Sequence, residues 1–379
     1  MSGILTIAEK ELRDFVTGKR FLIIFSIIVI MTIFGVITGM QDYDRQLEQY
    51  KQQQAQNQPM IASMQKQIAD AEARGDDPAM IQGMKDQLDY LFNPWMPSIV
   101  DIFYRVSTPM SMAGAVLAIV MGFDLITRER EEGSLKQLLT RPIYRDTVII
   151  GKAIAGILAI VIMIGATFLI AMAILLINSM VPAGDDLLRI LAFFGISVLF
   201  VVCYFTLSLM VSTITRSSTL AILCMLGLFL IFFAVPNISY EVTALITGPY
   251  PIQPDTSSIY QPSFDGNYTP PTEAQTAAMN EAQWKYQNET IAYYKKQQQI
   301  NDIISYLSPQ SSYNALYQAA LNRQKQWDPA EAYAGHWSQK PLPIDQTLFP
   351  KWSYMLTLLA EITAALGLSY VLFMRADAT

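Results

Sequence analysis

The stretch Phe21-Leu22-Ile23-Ile24-Phe25-Ser26-Ile27-Ile28-Val29-Ile30-Met31-Thr32-Ile33-Phe34-Gly35-Val36-Ile37-Thr38-Gly39-Met40 decides the fold of this chain. It runs without a charge, and its edges are marked by Lys19-Arg20 before it and Gln41-Asp42 after it. At 1.5 Å of rise per residue a helix of this length crosses the roughly 30 Å of a bilayer's hydrocarbon core. Moving outward, 106–126, 151–180, 190–213, 217–238 and 352–374 have the same character. Asp124 and Lys152 stand near the ends of their stretches, and Glu361 alone lies well inside one. Lipid offers no partner to a free backbone N–H or C=O, so each stretch is expected to be a helix. The fold class is therefore an all-α membrane protein of six transmembrane helices, with N and C termini on the same side.

Composition agrees. The 379 residues are 52% apolar and 15% charged, against about 25% charged in a typical soluble domain. Cys203 and Cys224, both inside apolar runs, read as small buried hydrophobes, and the single histidine, His336, excludes a histidine cluster. No Gly-x-Ser-x-Gly nucleophile motif and no Gly-x-x-x-x-Gly-Lys-(Ser/Thr) phosphate loop occurs. No enzymatic activity, metal or cofactor is expected in this chain, and nucleic acid is not an expected partner. Membrane lipid is.

Orientation follows from lysine and arginine, which favour the cytoplasmic side. Lys10, Arg13, Lys19 and Arg20 lie in 1–20, six more basic residues in 127–152, and Arg216 and Arg375 in the remaining short segments of that side. The other fourteen are spread over far longer segments. Both termini are expected in the cytoplasm of a cell bounded by this plasma membrane.

Two large segments, 41–105 and 239–350, then fall outside. In the first, Ile61, Met64, Ile68 and Ala71 repeat at one-face helical spacing, as do Ile81, Met84, Leu88 and Leu91. Between them Gly75 supplies a helix stop, Asp77 a cap and Pro78 a first helical position, so a helical hairpin is expected. The second begins with a proline-punctuated loop and continues as a helix from about Thr272 to Leu307. Trp284, Tyr293, Tyr294, Tyr313, Tyr317, Trp327, Tyr333 and Trp337 give it too many aromatics for a solvated spacer. A mainly helical extracytoplasmic domain formed by the loops after helices 1 and 5 is the expectation.

The segment 127–150 carries the functional signal. Arg128-Glu129-Arg130-Glu131-Glu132 leads into Gly133-Ser134, then Leu135, Leu138 and Leu139 share one face of a short helix that Pro142 stops, after Arg141. Apolar knobs between charged flanks suit a partner's groove, with Glu129, Glu131 and Glu132 placed to meet its basic residues; a plain interfacial helix held by headgroups reads equally from composition.

This segment resembles the permeases of type-2 ABC exporters, a family that includes membrane subunits of sodium, copper-processing and antibiotic exporters. The likeness rests on 128–132, Gly133 through Leu139, Thr140 and Pro142, and on Gly151-Lys152 in the third span. Ile7-Ala8-Glu9-Lys10-Glu11-Leu12-Arg13 is similar to the family's N-terminal interfacial helix (1–20 here), and Leu307-Ser308-Pro309 with Tyr313 to the element before its last helix. The external loops are larger than in compact members. The resemblance implies a half-transporter pairing with itself or a similar permease on two ABC ATPase subunits, which hold ATP and Mg. Residues 129–142 would form the coupling element, and Glu9, Lys10, Glu11 and Arg13 would lie on a second contact beside it.

Glu361 is either a contact or gate in a transport pathway or a structural hydrogen-bond acceptor, with Tyr204, Thr206 and Ser208 as candidate donors. An alternative function is mechanotransmission or scaffolding, in which the external part engages a partner without solute movement. The topology makes a direct prediction: single cysteines at positions 63 and 134 will react with an impermeant thiol reagent from opposite sides, and same-side labelling would overturn it.

Overall fold

The computed structural model describes residues 2–92, 96–133, 145–182, 184–254, 272–323 and 341–375. Every regular element among them is a helix: α1 (Ser2–Thr17), α2 (Lys19–Arg74), α3 (Pro78–Phe92), a 3₁₀ turn (Ile99–Phe103), α4 (Tyr104–Gly122), α5 (Thr127–Glu131), α6 (Arg145–Ile177), α7 (Asp185–Ile214), α8 (Ser218–Thr247), α9 (Glu273–Ser305), α10 (Pro309–Leu321), α11 (Ile344–Leu348) and α12 (Trp352–Arg375). Six of these segments are long and apolar enough to cross a membrane, and they coincide with the six uncharged stretches of the sequence.

Helix ends follow local chemistry. α2 runs unbroken from the first span into the hairpin and stops at Gly75, whose φ of 73° an L side chain resists. Asp76 N–H reaches back to Ala71 O and Gly75 N–H to Glu72 O, closing a Schellman-type end, and α3 restarts on Pro78. Ile61, Ile68 and Ala71 are buried where α3 packs against α2, and Asn57 donates to Leu91 O at 3.3 Å across the hairpin. At α9, Thr272 and Gln275 form a reciprocal capping box.

The chain divides into two compact units, 1–233 with 308–325 and 338–379, and 234–307 with 326–337. The hairpin therefore groups with the bundle, as do 308–325 and 338–350 of the longer insertion, while the rest of that insertion forms a unit of its own. In that second unit Tyr250 meets Tyr293 and Tyr294 edge-on at 5.3 and 5.9 Å, and Lys296 Nζ donates to Thr247 O. Trp284 is exposed; Trp327, Tyr333 and Trp337 lie outside the described residues.

Within the first unit α4 and α7 are the interior. The apolar windows of their spans are 67% and 61% buried, while no other span exceeds 33%. α7 packs against α4, α6, α10 and α12. Glycine sets the approach of its neighbours, since a Cβ on Gly39 would stand 2.7 Å from Ile102 O and one on Gly156 2.0 Å from the ring of Phe205. Gly165, which reads the same in the sequence, would meet nothing nearer than 3.9 Å. The cysteines separate: Cys203 is buried on α7, but Cys224 is exposed on α8, contrary to the sequence reading. An apolar run in a lipid-crossing helix has an outward face, so hydrophobic sequence does not imply protein burial there.

At the end of the bundle away from the termini, Arg189 is fully buried on the first turn of α7. Its guanidinium pairs with Asp185 at 2.6 Å and donates to Ala320 O (2.9 Å), Asn322 O (3.1 Å), Leu342 O (2.6 Å) and Thr347 Oγ1 (3.2 Å). It thus closes the carbonyl end of α10 and fixes the irregular segment that leads to α11. Tyr313 stacks on Phe200 at 4.3 Å and shares a hydrogen bond with Ser197, seating α10 on α7. Gly156→Ala is expected to destabilise the bundle by about 1–3 kcal/mol through overpacking, read as a lower melting temperature in detergent, while Gly165→Ala leaves the melt unchanged. Equal effects would refute the close packing of α6 on α7.

Candidate functional site

The charged stretch after the second span becomes a junction. α4 ends at Gly122, and the chain bends through 123–126 into the five-residue α5. That restart leaves backbone donors free; Ser212 Oγ of α7 accepts both Ile126 N–H (3.1 Å) and Thr127 N–H (3.2 Å). α5 is thereby fixed to the last turn of α7, and successive side chains reach different helices.

Arg130 donates to Thr215 O at 2.8 Å and Thr213 O at 3.5 Å, closing the carbonyl end of α7. Glu131 accepts from Ser218 N–H (2.8 Å) and the Ser218 hydroxyl (2.7 Å), which places a carboxylate at the amino end of α8. Asp124 pairs with Arg20 on the first turn of α2 at 2.6 Å, and Arg20 also lies over the Phe123 ring. Glu129 takes the most enclosed partner. Its Oε1 is 2.9 Å from Lys152 Nζ, and Glu11 Oε1 of α1 is 3.0 Å from the same ammonium. The Lys152 side chain is 3% exposed, with 14% for Glu11 and 20% for Glu129. One buried cation between two carboxylates joins α1, α5 and α6.

α1 reaches this point because its inner face is small and apolar. Ala8 is buried, and Ile7 lies against Gly151, where a Cβ would be 2.8 Å from Ile7 Cγ2. Glu11, one turn beyond Ile7, falls on that face and meets Lys152, one residue after Gly151. Glu9, Lys10 and Arg13 are exposed on the rest of α1.

The acids singled out in the sequence thus have distinct positions. Glu129 and Glu131 have partners within the chain, whereas Glu132 pairs with Arg128 and both are more than half exposed. Gly133 adopts φ 69° with open space around it, so its requirement is conformational. Ser134, Leu135, Leu138, Leu139, Arg141 and Pro142 lie outside the described residues. Glu361 belongs elsewhere, on α12, where it accepts a hydrogen bond from Cys203 Sγ at 3.3 Å. The donors expected from the sequence are used differently. Thr206 donates to Cys203 O and Ser208 to Ile119 O, and the Tyr204 hydroxyl has no hydrogen bond among the described residues. The face of α7 turned toward α12 holds the thiol, which a hydropathy reading counts as apolar.

No sequence signal joins Glu11 to Lys152 or Arg20 to Asp124. A lysine at the very edge of an apolar run was the one available hint, because such a residue normally extends to water unless something holds it inside.

Six apolar helices, with a charged junction at one end binding five of them and an amphipathic first helix, define a polytopic membrane protein of transporter type. The chain belongs to the ABC-2 family of transporter proteins, whose family profile matches residues 5–378. No curated protein matches the sequence.

Removing the buried cation leaves two carboxylates unmet, a change that costs about 3–5 kcal/mol in comparable sites. Lys152→Met is therefore expected to lower the melting temperature in detergent substantially, and Glu129→Gln, which leaves the Glu11 pair, to lower it less. A wild-type melt for Lys152→Met would show that the pair does not hold the junction together.

Proposed function

We propose that this chain is the membrane-spanning permease subunit of an ATP-driven exporter. A separate ABC ATPase subunit, carrying ATP and Mg, hydrolyses nucleotide, and this chain converts the resulting movement into substrate export. In this reading the end of the bundle holding α1 and α5 faces the cytoplasm, the membrane is the plasma membrane, and two permeases, identical or similar, work together.

The observation that carries the proposal is the junction at 124–131. The family resemblance assigns 129–142 to the ATPase contact, so the junction overlaps the start of that segment and leads into the rest of it at Gly133. A push on that segment enters α5, and α5 is bonded to α7 through Ser212 and Arg130, to α8 through Glu131 and to α6 through Glu129. Hydrogen-bonded and ion-paired contacts of this kind transmit displacement because packed elements shift between discrete arrangements instead of deforming smoothly. Glu132 and Arg128, paired with each other and more than half exposed at the edge of the junction, are charges that a partner could meet.

A second reading, mechanotransmission, draws support from α2, a single helix of 56 residues that carries the first span into the hairpin without a break. A shift at Arg20 would pass along this continuous helix toward the hairpin, through Pro59, where one backbone hydrogen bond is missing. Replacing 47–90 by a short linker separates the readings: ATPase stimulation survives under export and is lost if the hairpin's engagement drives the cycle.

Co-purification is expected to recover an ABC ATPase with this chain. Changing Leu138 and Leu139 together to Asp is expected to abolish that association or the permease-dependent ATPase rate while the melting temperature holds. Normal binding and normal rate in the double variant would remove the coupling assignment.

A further inference from the structure

A pocket of about 680 Å³ opens beside the junction, between α1, the first turns of α2, and the end of α4 with α5. Its lining is ordered by depth. Lys10, Asp14, Lys19 and Arg20 are exposed at the mouth, and Phe21, Ile24, Leu117 and Val120 line the interior. Ile24 lies one turn beyond Arg20 on α2, and Val120 and Leu117 lie one and two turns before Asp124 on α4. The Arg20–Asp124 pair sets these two helices side by side and antiparallel, so both become apolar at the same level. A charged mouth over an apolar floor at the edge of a membrane span has the polarity of a phospholipid, not of a soluble metabolite.

Charge narrows the class. The lining contains as many acids as bases. Glu11 and Glu129 hold Lys152, Asp124 holds Arg20, and Glu132 holds Arg128. Lys10, Lys19 and Asp14 remain, exposed and without an ion pair among the described residues. Free groups of both signs on one elbow, where α1 meets α2, suit a headgroup that itself carries both signs. We propose that this pocket holds phosphatidylethanolamine, with its phosphodiester toward Lys19 and Lys10, its ammonium toward Asp14, and one acyl chain between Ile24 and Val120. A trimethylammonium headgroup has no N–H to give Asp14, and a glycerol headgroup has no cation. The lipid would brace α1 beside Lys152, which lines the same pocket, a role independent of any ATPase partner.

The test is native mass spectrometry of the full-length protein in detergent, titrated in turn with phosphatidylethanolamine, phosphatidylcholine and phosphatidylglycerol. One phosphatidylethanolamine per chain is expected to survive activation that strips the other two. Lys19→Ala is expected to lower the retained fraction about fivefold or more, equivalent to about 1 kcal/mol of binding, while Lys51→Ala, far along α2, leaves it unchanged. Asp14→Asn, a near-isosteric change at an exposed site, reads the ammonium contact alone and is expected to erase the preference over phosphatidylcholine; it also serves if Lys19→Ala does not fold. Equal retention of the three lipids overturns the proposal, as does a preference that survives Asp14→Asn. Selective retention of phosphatidylglycerol overturns the ethanolamine assignment.

Discussion

Lys152 carries a charge into a place with almost no water, and Glu11 and Glu129 meet it there at 3.0 and 2.9 Å. In energy such a buried group is close to neutral against a hydrophobic replacement, because desolvation offsets most of the attraction. Its consequence is geometric. A lysine at this depth is tolerable only with both α1 and α5 in place, so it ties the register of α1 to that of α5, which Ser212, Arg130 and Glu131 hold to α7 and α8. α1 has only one narrow apolar face, and α5 is too short to be stable alone. Remove the ammonium, and the two carboxylates repel each other across the site it occupied.

The rest of the junction follows from the same shortage of partners. Wherever a helix ends near the membrane surface, four donors or four acceptors lose their internal bonds. Here Arg130 supplies donors to the end of α7, Glu131 an acceptor to the start of α8, and Ser212 an acceptor to the start of α5. At the far end of α7 the buried Arg189 performs the corresponding task for α10 and the 341–343 segment. α7 is therefore held at both ends by arginine and along its length by close contact with α4, α6 and α12. It is the axis against which the other elements of the first unit are placed.

Much of this fold was legible in the sequence. The six spans and the hairpin stop at Gly75 are local properties, written in uncharged length and a glycine. The candidate site was legible only in part. The Arg128–Glu132 patch reads in the sequence as a surface for a partner; in the structure Glu129 turns inward to Lys152, and Glu131, though exposed, caps Ser218 at the start of α8. Glu361 stands in the last apolar helix, but its donor is Cys203 and none of the residues the sequence offered. Hydropathy treats a thiol as apolar and cannot say which residue of α7 faces α12. Cys224 shows the same limit, since an apolar helix in lipid gives no sign of which side is covered by protein.

What the sequence by itself determined is whatever depends on a single segment. Lipid cannot satisfy a free peptide group, so uncharged length alone dictates a helix; glycine and proline alone dictate where it stops. Only the tertiary structure decided which charges meet. Glu11, Asp124, Glu129 and Arg130 find Lys152, Arg20 and the carbonyls of α7 across long separations in the chain. Those pairings depend on the angle and rotation at which helices pack, and packing is set by contacts such as Gly156 against Phe205 that no single segment contains.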